Sequence, residues 1–220
     1  MLAVVAVSAA IRLDWGNVSA LRVVHRTAAS LEVIFVLWIG WLLFRARRQA
    51  PARWRVAAIA LALTVFLSVL GIAAGQSPPR LQAMGNLLGG LALASAFAWL
   101  VGAAGRSGAA IAGTFAAVAG ALLAAQAVVG ARLSIFGRTD VPALPAHAML
   151  GLATAALLGW LALSRIPRRG GRLLLACALA APLAGFTALQ YETSSGAALV
   201  HALAAAALVA ASAYALARNA

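Results

Sequence analysis

Long apolar runs recur along nearly the whole length of this 220-residue chain. Most of them are close to the roughly 20 residues that a helix needs to cross a bilayer. The chain is 65% hydrophobic and only 10% charged, whereas a soluble domain carries roughly 25% charged residues. We therefore predict an all-α integral membrane protein. Its eight expected transmembrane helices lie at about 1–13, 19–44, 54–75, 81–104, 108–131, 142–164, 171–190 and 196–217.

The first apolar run is shorter than the others. Thirteen residues of helix reach only about 20 Å, against a hydrocarbon core of about 30 Å. A signal peptide is a competing interpretation, because its apolar region is also short. No basic residue precedes this run, which argues against a signal peptide. We expect a first helix that is shortened, tilted, or missing residues upstream of the numbered start.

A matched pair of positions recurs in four of the expected helices. The first position is a His, or once an Asn, near the helix start, and the second is an aromatic residue thirteen residues later. The starting positions are 61, 61 and 54 residues apart, which predicts one helical hairpin used four times. We therefore expect two pseudo-symmetric four-helix bundles, residues 1–104 and 105–220. The pairs are His25 with Trp38, Asn86 with Trp99, His147 with Trp160, and His201 with Tyr214.

The arginines predict the orientation in the membrane. All 17 basic residues are Arg, and nine of them fall in the two segments 45–55 and 165–172. With Arg106 and Arg218, one face of the membrane holds 11 Arg and the opposite face holds 6. The positive-inside rule places the 11-Arg face in the cytoplasm, together with both termini, as in a bacterial-type inner membrane. This distribution argues against nucleic acid as a partner, despite a net charge of +13.

The histidines are the candidate metal ligands. A single His in a membrane span is most simply explained by a hydrogen bond between helices. Three at one repeat position and one depth favour heme, because imidazole ligates iron and bundles build cofactor sites from facing helices. His147 and His201 form a complete pair for a low-spin heme b. His25 pairs with Asn86, a poor iron ligand, so that site would hold a five-coordinate heme, bind heme transiently as substrate, or stay empty. Zinc is the rival metal, but a structural zinc site normally has four close ligands.

Other polar and small residues have two interpretations each. Arginines near the outer face would pair with heme propionates or contact lipid headgroups. These are Arg26, Arg80, Arg132 and Arg138. Glu32, the one acid well inside a span, is the candidate catalytic residue, and otherwise a protonated structural group. Glycines close to the ligand positions would admit a flat cofactor or allow ordinary helix packing. These are Gly89, Gly90, Gly151 and Gly196.

Five short motifs lie in or near the expected helices: RVVHR (Arg22–Arg26), AIRLDWG (Ala10–Gly16), QAVVGA (Gln126–Ala131), PAHAMLGL (Pro145–Leu152) and LVHALAAAAL (Leu199–Leu208). With these motifs the chain resembles the heme A synthase family. They are similar to segments of that family's second, first, fifth, sixth and eighth helices. The resemblance implies two four-helix halves, with substrate heme O in the N-terminal half and heme b in the C-terminal half. It also implies oxidation of a heme O methyl to the formyl of heme A, with heme O synthase, a terminal oxidase or another respiratory complex as partners.

Three departures from the family pattern keep a second hypothesis open. Arg22 occupies the position of the family's Glu that is thought to be catalytic, Asn86 replaces a His, and the Cys pair of the outer loops is absent. The first hypothesis is a heme A synthase-like oxidoreductase. The second is a catalytically inactive subunit whose heme b passes electrons or stabilises a respiratory complex. The third is a heme-free membrane scaffold or transporter.

Overall fold

The chain is all-helical in the computed structural model, which describes residues 2–74, 78–105, 113–136, 143–166, 168–191 and 194–219. Seven of the helices in these ranges, α2 to α8, are long and apolar enough to cross a membrane, whereas α1 has 11 residues. These helices confirm the prediction of an all-α protein with membrane-spanning segments. The helices are α1 (Leu2–Arg12), α2 (Val18–Arg45), α3 (Pro51–Ala74), α4 (Arg80–Ala104), α5 (Gly113–Phe136), α6 (Ala143–Ser164), α7 (Arg168–Gln190) and α8 (Ser195–Arg218).

Helix α5 ends further along the chain than its apolar run predicts. Its expected span, 108–131, stops before Arg132, but the helix continues to Phe136. The first residues of the expected span, 108–112, lie outside the described residues. An Arg in the last turns of a helix interacts favourably with the terminal carbonyl groups, and its long side chain can reach the membrane surface. Arg132 therefore does not end the helix.

Local capping explains where several helices begin. The Asn17 side chain accepts a hydrogen bond from the Ala20 N–H at 3.1 Å, and Ser194 accepts one from the Ala197 N–H at 3.2 Å. Such caps satisfy backbone donors that have no partner within the helix. Gly16, just before the first cap, has a φ of +76°, a conformation that glycine adopts without a steric penalty. These capping turns determine where α2 and α8 begin. The two helices carry His25 and His201.

Contacts follow the chain order within each half, and several pairs of helices also connect the two halves. In the first half α1 packs on α2, α2 on α3, and α3 on α4, with a smaller contact between α1 and α4. In the second half α5 packs on α6, α6 on α7, and α7 on α8. The halves meet where α4 packs on α8, α1 on α8, and α4 on α5. Helices α4 and α8 form the most extensive of these interfaces.

The apolar side chains divide between a packed interior and an outward surface. Leu158, Leu161 and Leu174 are completely buried in a core formed mainly by the second half. By contrast, α2 exposes several large apolar side chains, including Phe35 and Trp38. Water would not favour this surface, but a lipid bilayer would. The burial pattern thus agrees with a membrane environment.

Small residues allow the α4–α8 interface to be tight. A Cβ atom added to Gly102 would collide with the backbone oxygen of Tyr214 and lie 3.1 Å from the Cβ of Ala217. Both neighbours are backbone or a short side chain, so neither can move away without moving the helix. Glycine and alanine at such crossings let membrane helices approach closely. Gly102 therefore sets the separation of the two halves at this depth.

Gly102→Ala should force α4 and α8 apart. Overpacking of this kind typically costs about 1–3 kcal/mol, so the thermal unfolding midpoint of the detergent-solubilised protein should fall. Gly71→Ala is the matched control, because nothing lies within 4 Å of a Cβ at that helical position. Equal midpoints for the two variants would show that the α4–α8 crossing is not tightly packed.

Candidate functional site

Two histidines of the second half, each near the start of its helix, lie close together. His147 is the fifth residue of α6 and His201 is the seventh residue of α8. Their ring centroids are 5.9 Å apart and their ring planes are almost perpendicular, at 86°. Both side chains are half-buried. Two imidazoles thus face one another among helices that are otherwise almost wholly apolar.

The ring of His201 lies in a notch on the preceding helix, α7. A Cβ atom added to Gly185 would lie only 3.1 Å from Cε1 of His201, so the missing side chain makes room for the ring. One turn earlier, the backbone oxygen of Ala181 lies 3.3 Å from Nδ1 of His201. When Nδ1–H donates to this carbonyl, Nε2 keeps its lone pair. Donation of one ring N–H to a carbonyl is the usual arrangement around a metal-ligating histidine.

The ring of His147 lies in a matching notch on its own preceding helix, α5. A Cβ atom added to Gly130 would lie 2.8 Å from Cε1 of His147. One turn earlier, the amide nitrogen of Gln126 lies 3.3 Å from Nε2 of His147, while Nδ1 is buried without a hydrogen-bond partner. Each histidine therefore contacts a glycine and, one turn before it, a polar group of the neighbouring helix.

Sequence analysis missed Gln126, Gly130 and Gly185 as site residues. The signal was present as spacing, because these glycines precede His147 and His201 by 17 and 16 residues. Gly151, which was predicted to make room near the ligand position, does so indirectly. A Cβ atom at Gly151 would lie 3.0 Å from the amide nitrogen of Gln126, so the glycine accommodates that side chain.

The predicted N-terminal pair is arranged differently. His25 is half-buried with Nδ1 lacking a partner, and the main chain of Val4 in α1 lies within hydrogen-bonding range of the ring. Asn86 is half-buried on α4. Within the described residues, no hydrogen bond joins His25 to Asn86. The glycine one turn after Asn86, Gly89, lies against Leu67 of α3 rather than against a polar group.

The remaining predicted site residues lie near the helix ends or alone in a span. Glu32 is half-buried, and its Oε1 has no hydrogen-bond partner. Arg26 and Arg132 are exposed, and the exposed Arg80 extends over the ring of Phe136, 5.5 Å from its centroid. Arg138 lies outside the described residues.

A contact that was not predicted links the two halves. Arg12, at the end of α1, donates from Nη1 to the hydroxyl of Ser134 on α5 at 3.1 Å. Together with the Arg80–Phe136 contact, it brings two arginines of the first half onto the last turn of α5. The end of α5 is thus held from the N-terminal half, and this half contributes to the position of Gln126 and Gly130.

The donor set limits which metal the site could hold. Among the described residues, no three His, Cys, Asp or Glu side chains come together as a metal site. A structural zinc ion needs four ligands, whereas heme iron takes only one or two from the protein. An apolar cleft of about 400 Å³ between α4, α5 and α8 does not include either histidine of the pair. The paired imidazoles therefore fit heme iron better than a zinc ion.

Comparison of this chain with protein-family models, with curated proteins and with solved structures finds no match. A fold alone does not determine a function, so the function follows from the chemistry of the site. In the described residues that site is the pair His147 and His201 with their supporting glycines.

Gly130→Ala should displace the ring of His147 without unfolding the protein, because the atom in the way belongs to a side chain that can rotate. The chain has three histidines, so protein labelled with ¹⁵N-histidine gives three sets of ring signals by NMR in detergent micelles. One set, which disappears in His147→Ala, should shift in the variant. Gly120→Ala, on the same helix with open space around it, should leave all three sets in place. Unshifted histidine signals in both variants would show that the ring of His147 does not lie against Gly130.

Proposed function

We propose that this chain is a heme-binding membrane protein in which His147 and His201 are the two axial ligands of heme b. The distance of 5.9 Å between their ring centroids is the observation that carries the proposal. A metal–imidazole bond of about 2.0–2.1 Å, plus about 1.1 Å from nitrogen to ring centre, gives about 6.3 Å for two rings on one iron. The observed pair needs only a small adjustment to reach that separation.

The contacts around the rings support the same assignment. The carbonyl of Ala181 accepts from Nδ1–H of His201 and leaves Nε2 for iron. Beside Nε2 of His147, the Gln126 amide would be turned so that Oε1, which has no other partner among the described residues, accepts from Nε2–H and leaves Nδ1 for iron. Contacts of this kind fix the orientation of ligating imidazoles. Bound heme would supply one-electron redox chemistry. The residues of the chain would orient the two rings and, with the surrounding apolar helices, exclude water.

We also propose that the two halves are pseudo-symmetric and that eight helices cross the membrane. If the two halves are exchanged, α1 takes the place of α5 and α4 takes the place of α8. The contact of α1 with α8 then corresponds to that of α5 with α4, and the contact of α4 with α8 corresponds to itself. Contacts between consecutive helices match in the same way. His25 lies next to the main chain of Val4 in α1, as His147 lies next to Gly130 in α5. The shared contact pattern therefore supports the repeat in the sequence.

For the activity, our first proposal is a heme A synthase-like oxidoreductase, which would oxidise a methyl group of heme O to the formyl of heme A. The N-terminal half would hold the substrate heme through His25, near Asn86. Glu32, with its unpartnered oxygen, would accept or deliver a proton. Arg26, Arg80, Arg132 and Arg138 would pair with propionates at the outer face.

A specific observation favours an alternative, a heme b-bearing subunit without synthase activity. Next to Asn86, Gly89 packs against Leu67. In the α7–α8 contact of the second half, the glycine instead belongs to the preceding helix, where Gly185 lies against the ring of His201. The N-terminal half therefore lacks both the second imidazole and the notch that would receive it. Such a subunit would pass electrons or stabilise a respiratory complex.

The arginine distribution supports the proposed orientation, with both termini cytoplasmic in a bacterial-type inner membrane. In a Cys177→Ala background, Ala50→Cys lies in the Arg-rich turn between α2 and α3, and Trp15→Cys lies in the turn between α1 and α2. A membrane-impermeant thiol reagent should label Trp15→Cys, and not Ala50→Cys, from the outside of intact cells. The reverse pattern would invert the topology.

His147→Ala and His201→Ala should each remove most of the low-spin heme signal from the purified protein. Each variant leaves the iron with at most one imidazole. The measurement is the reduced-minus-oxidised absorption spectrum, normalised to protein. His25→Ala is the control, because its site is separate, and it should keep the low-spin signal. Full low-spin signals in both of the first two variants would refute the assignment of ligands.

Pigment analysis separates the enzyme from the alternative. In cells that make heme O but lack their own heme A synthase, expression of this chain should produce heme A, measured by chromatography of extracted hemes. Glu32→Gln keeps the size of the side chain but removes its acid–base function, and it should lower heme A formation at least tenfold. A chain that carries heme b and produces no heme A would support the subunit instead.

A further inference from the structure

We propose that Gln126 is a positioning residue that holds the imidazole of His147 in the orientation needed to share an iron with His201. The inference rests on the proposed heme site and assigns Gln126 a role within it. The side chain belongs to α5, the ligand to α6 and the second ligand to α8, so this contact connects a third helix to the pair.

The surroundings of Gln126 leave its amide little freedom. Its nitrogen is 3.3 Å from Nε2 of His147, and the space it occupies exists because Gly151 has no side chain. One turn further along α5, Gly130 receives the edge of the same ring. The ring of His147 is therefore fixed at two points by α5, with Gln126 supplying the polar contact.

The two histidines differ in what holds them. The carbonyl of Ala181, which accepts from His201, belongs to the backbone and stays in place when side chains are exchanged. The equivalent contact of His147 comes from a side chain and is lost when that side chain is replaced. Without it the ring of His147 can rotate about its bond to Cβ. Its ligating nitrogen then leaves the iron in part of the molecules.

The expected defect is an iron that keeps His201 and has an open position on the other side. Loss of such supporting contacts typically weakens metal ligation by about 10–100-fold. Carbon monoxide binds ferrous heme at an open position, and it binds poorly when two imidazoles occupy both positions. The fraction of reduced heme that binds carbon monoxide therefore reports the orientation of His147. Because a general loss of folding also opens heme iron to carbon monoxide, the comparison needs a variant of similar size that keeps the hydrogen bond and the same substitution at a second glutamine.

The experiment compares full-length holoprotein in detergent. Gln126→Leu keeps the approximate volume and removes the hydrogen bond, while Gln126→Glu keeps an oxygen at the same reach that accepts from Nε2–H of His147. Gln82→Leu is the matched control, because Gln82 donates to the backbone oxygen of Leu70 in the first half, at 2.9 Å. His147→Ala gives the signal for complete loss of the ligand. The readout is the carbon monoxide difference spectrum per heme.

We expect little carbon monoxide binding in the parent, in Gln126→Glu and in Gln82→Leu. The reactive fraction of Gln126→Leu should be at least fivefold that of the parent and approach that of His147→Ala. A Gln126→Leu fraction equal to the parent's overturns this inference and leaves the proposed heme site intact. Equal increases in Gln126→Leu and Gln126→Glu overturn it as well, since they would assign the effect to packing. A parent without heme overturns both the inference and the proposed function.

Discussion

The cost of placing polar side chains in a bilayer governs the arrangement of this protein. A histidine inside a membrane span must find a partner, because the hydrocarbon offers none. His147 and His201 find theirs on the helices that precede them, through Gln126 and the carbonyl of Ala181. The glycines beside these groups allow the rings to come close enough. The pairing of α5 with α6 and of α7 with α8 therefore serves both packing and the site.

The interface between the halves controls how firmly this site is held. Helix α8 carries His201 near its start and packs closely on α4 further along, where Gly102 lies against the backbone of Tyr214. Arg12 of the first half reaches Ser134 near the end of α5. The first half thus contacts α5, against which the ring of His147 lies, and α8, which carries His201. A change at the interface between the halves should therefore alter the positions of His147 and His201 through these helices.

Much of the fold follows from the sequence, because hydropathy and helix length are strong signals in a membrane protein. The repeat spacing singled out His147 and His201, and the structure brings their rings within 5.9 Å. The supporting residues could not be found in this way. Gln126, Gly130 and Gly185 matter through contacts between helices, which depend on how each helix is rotated, and an apolar sequence specifies rotation weakly. The end of α5 was misplaced because Arg132 was treated as the limit of an apolar run.

The near-perpendicular ring planes give the most direct test of the central claim. If His147 and His201 ligate a heme iron with their ring planes at 86° to one another, the ferric protein gives a strongly anisotropic low-spin signal in electron paramagnetic resonance, unlike the less anisotropic signal of parallel rings. We predict this signal for the oxidised purified protein, and its loss in His147→Ala and His201→Ala. A protein without heme, or one whose ferric heme is entirely high-spin, would contradict ligation by this pair.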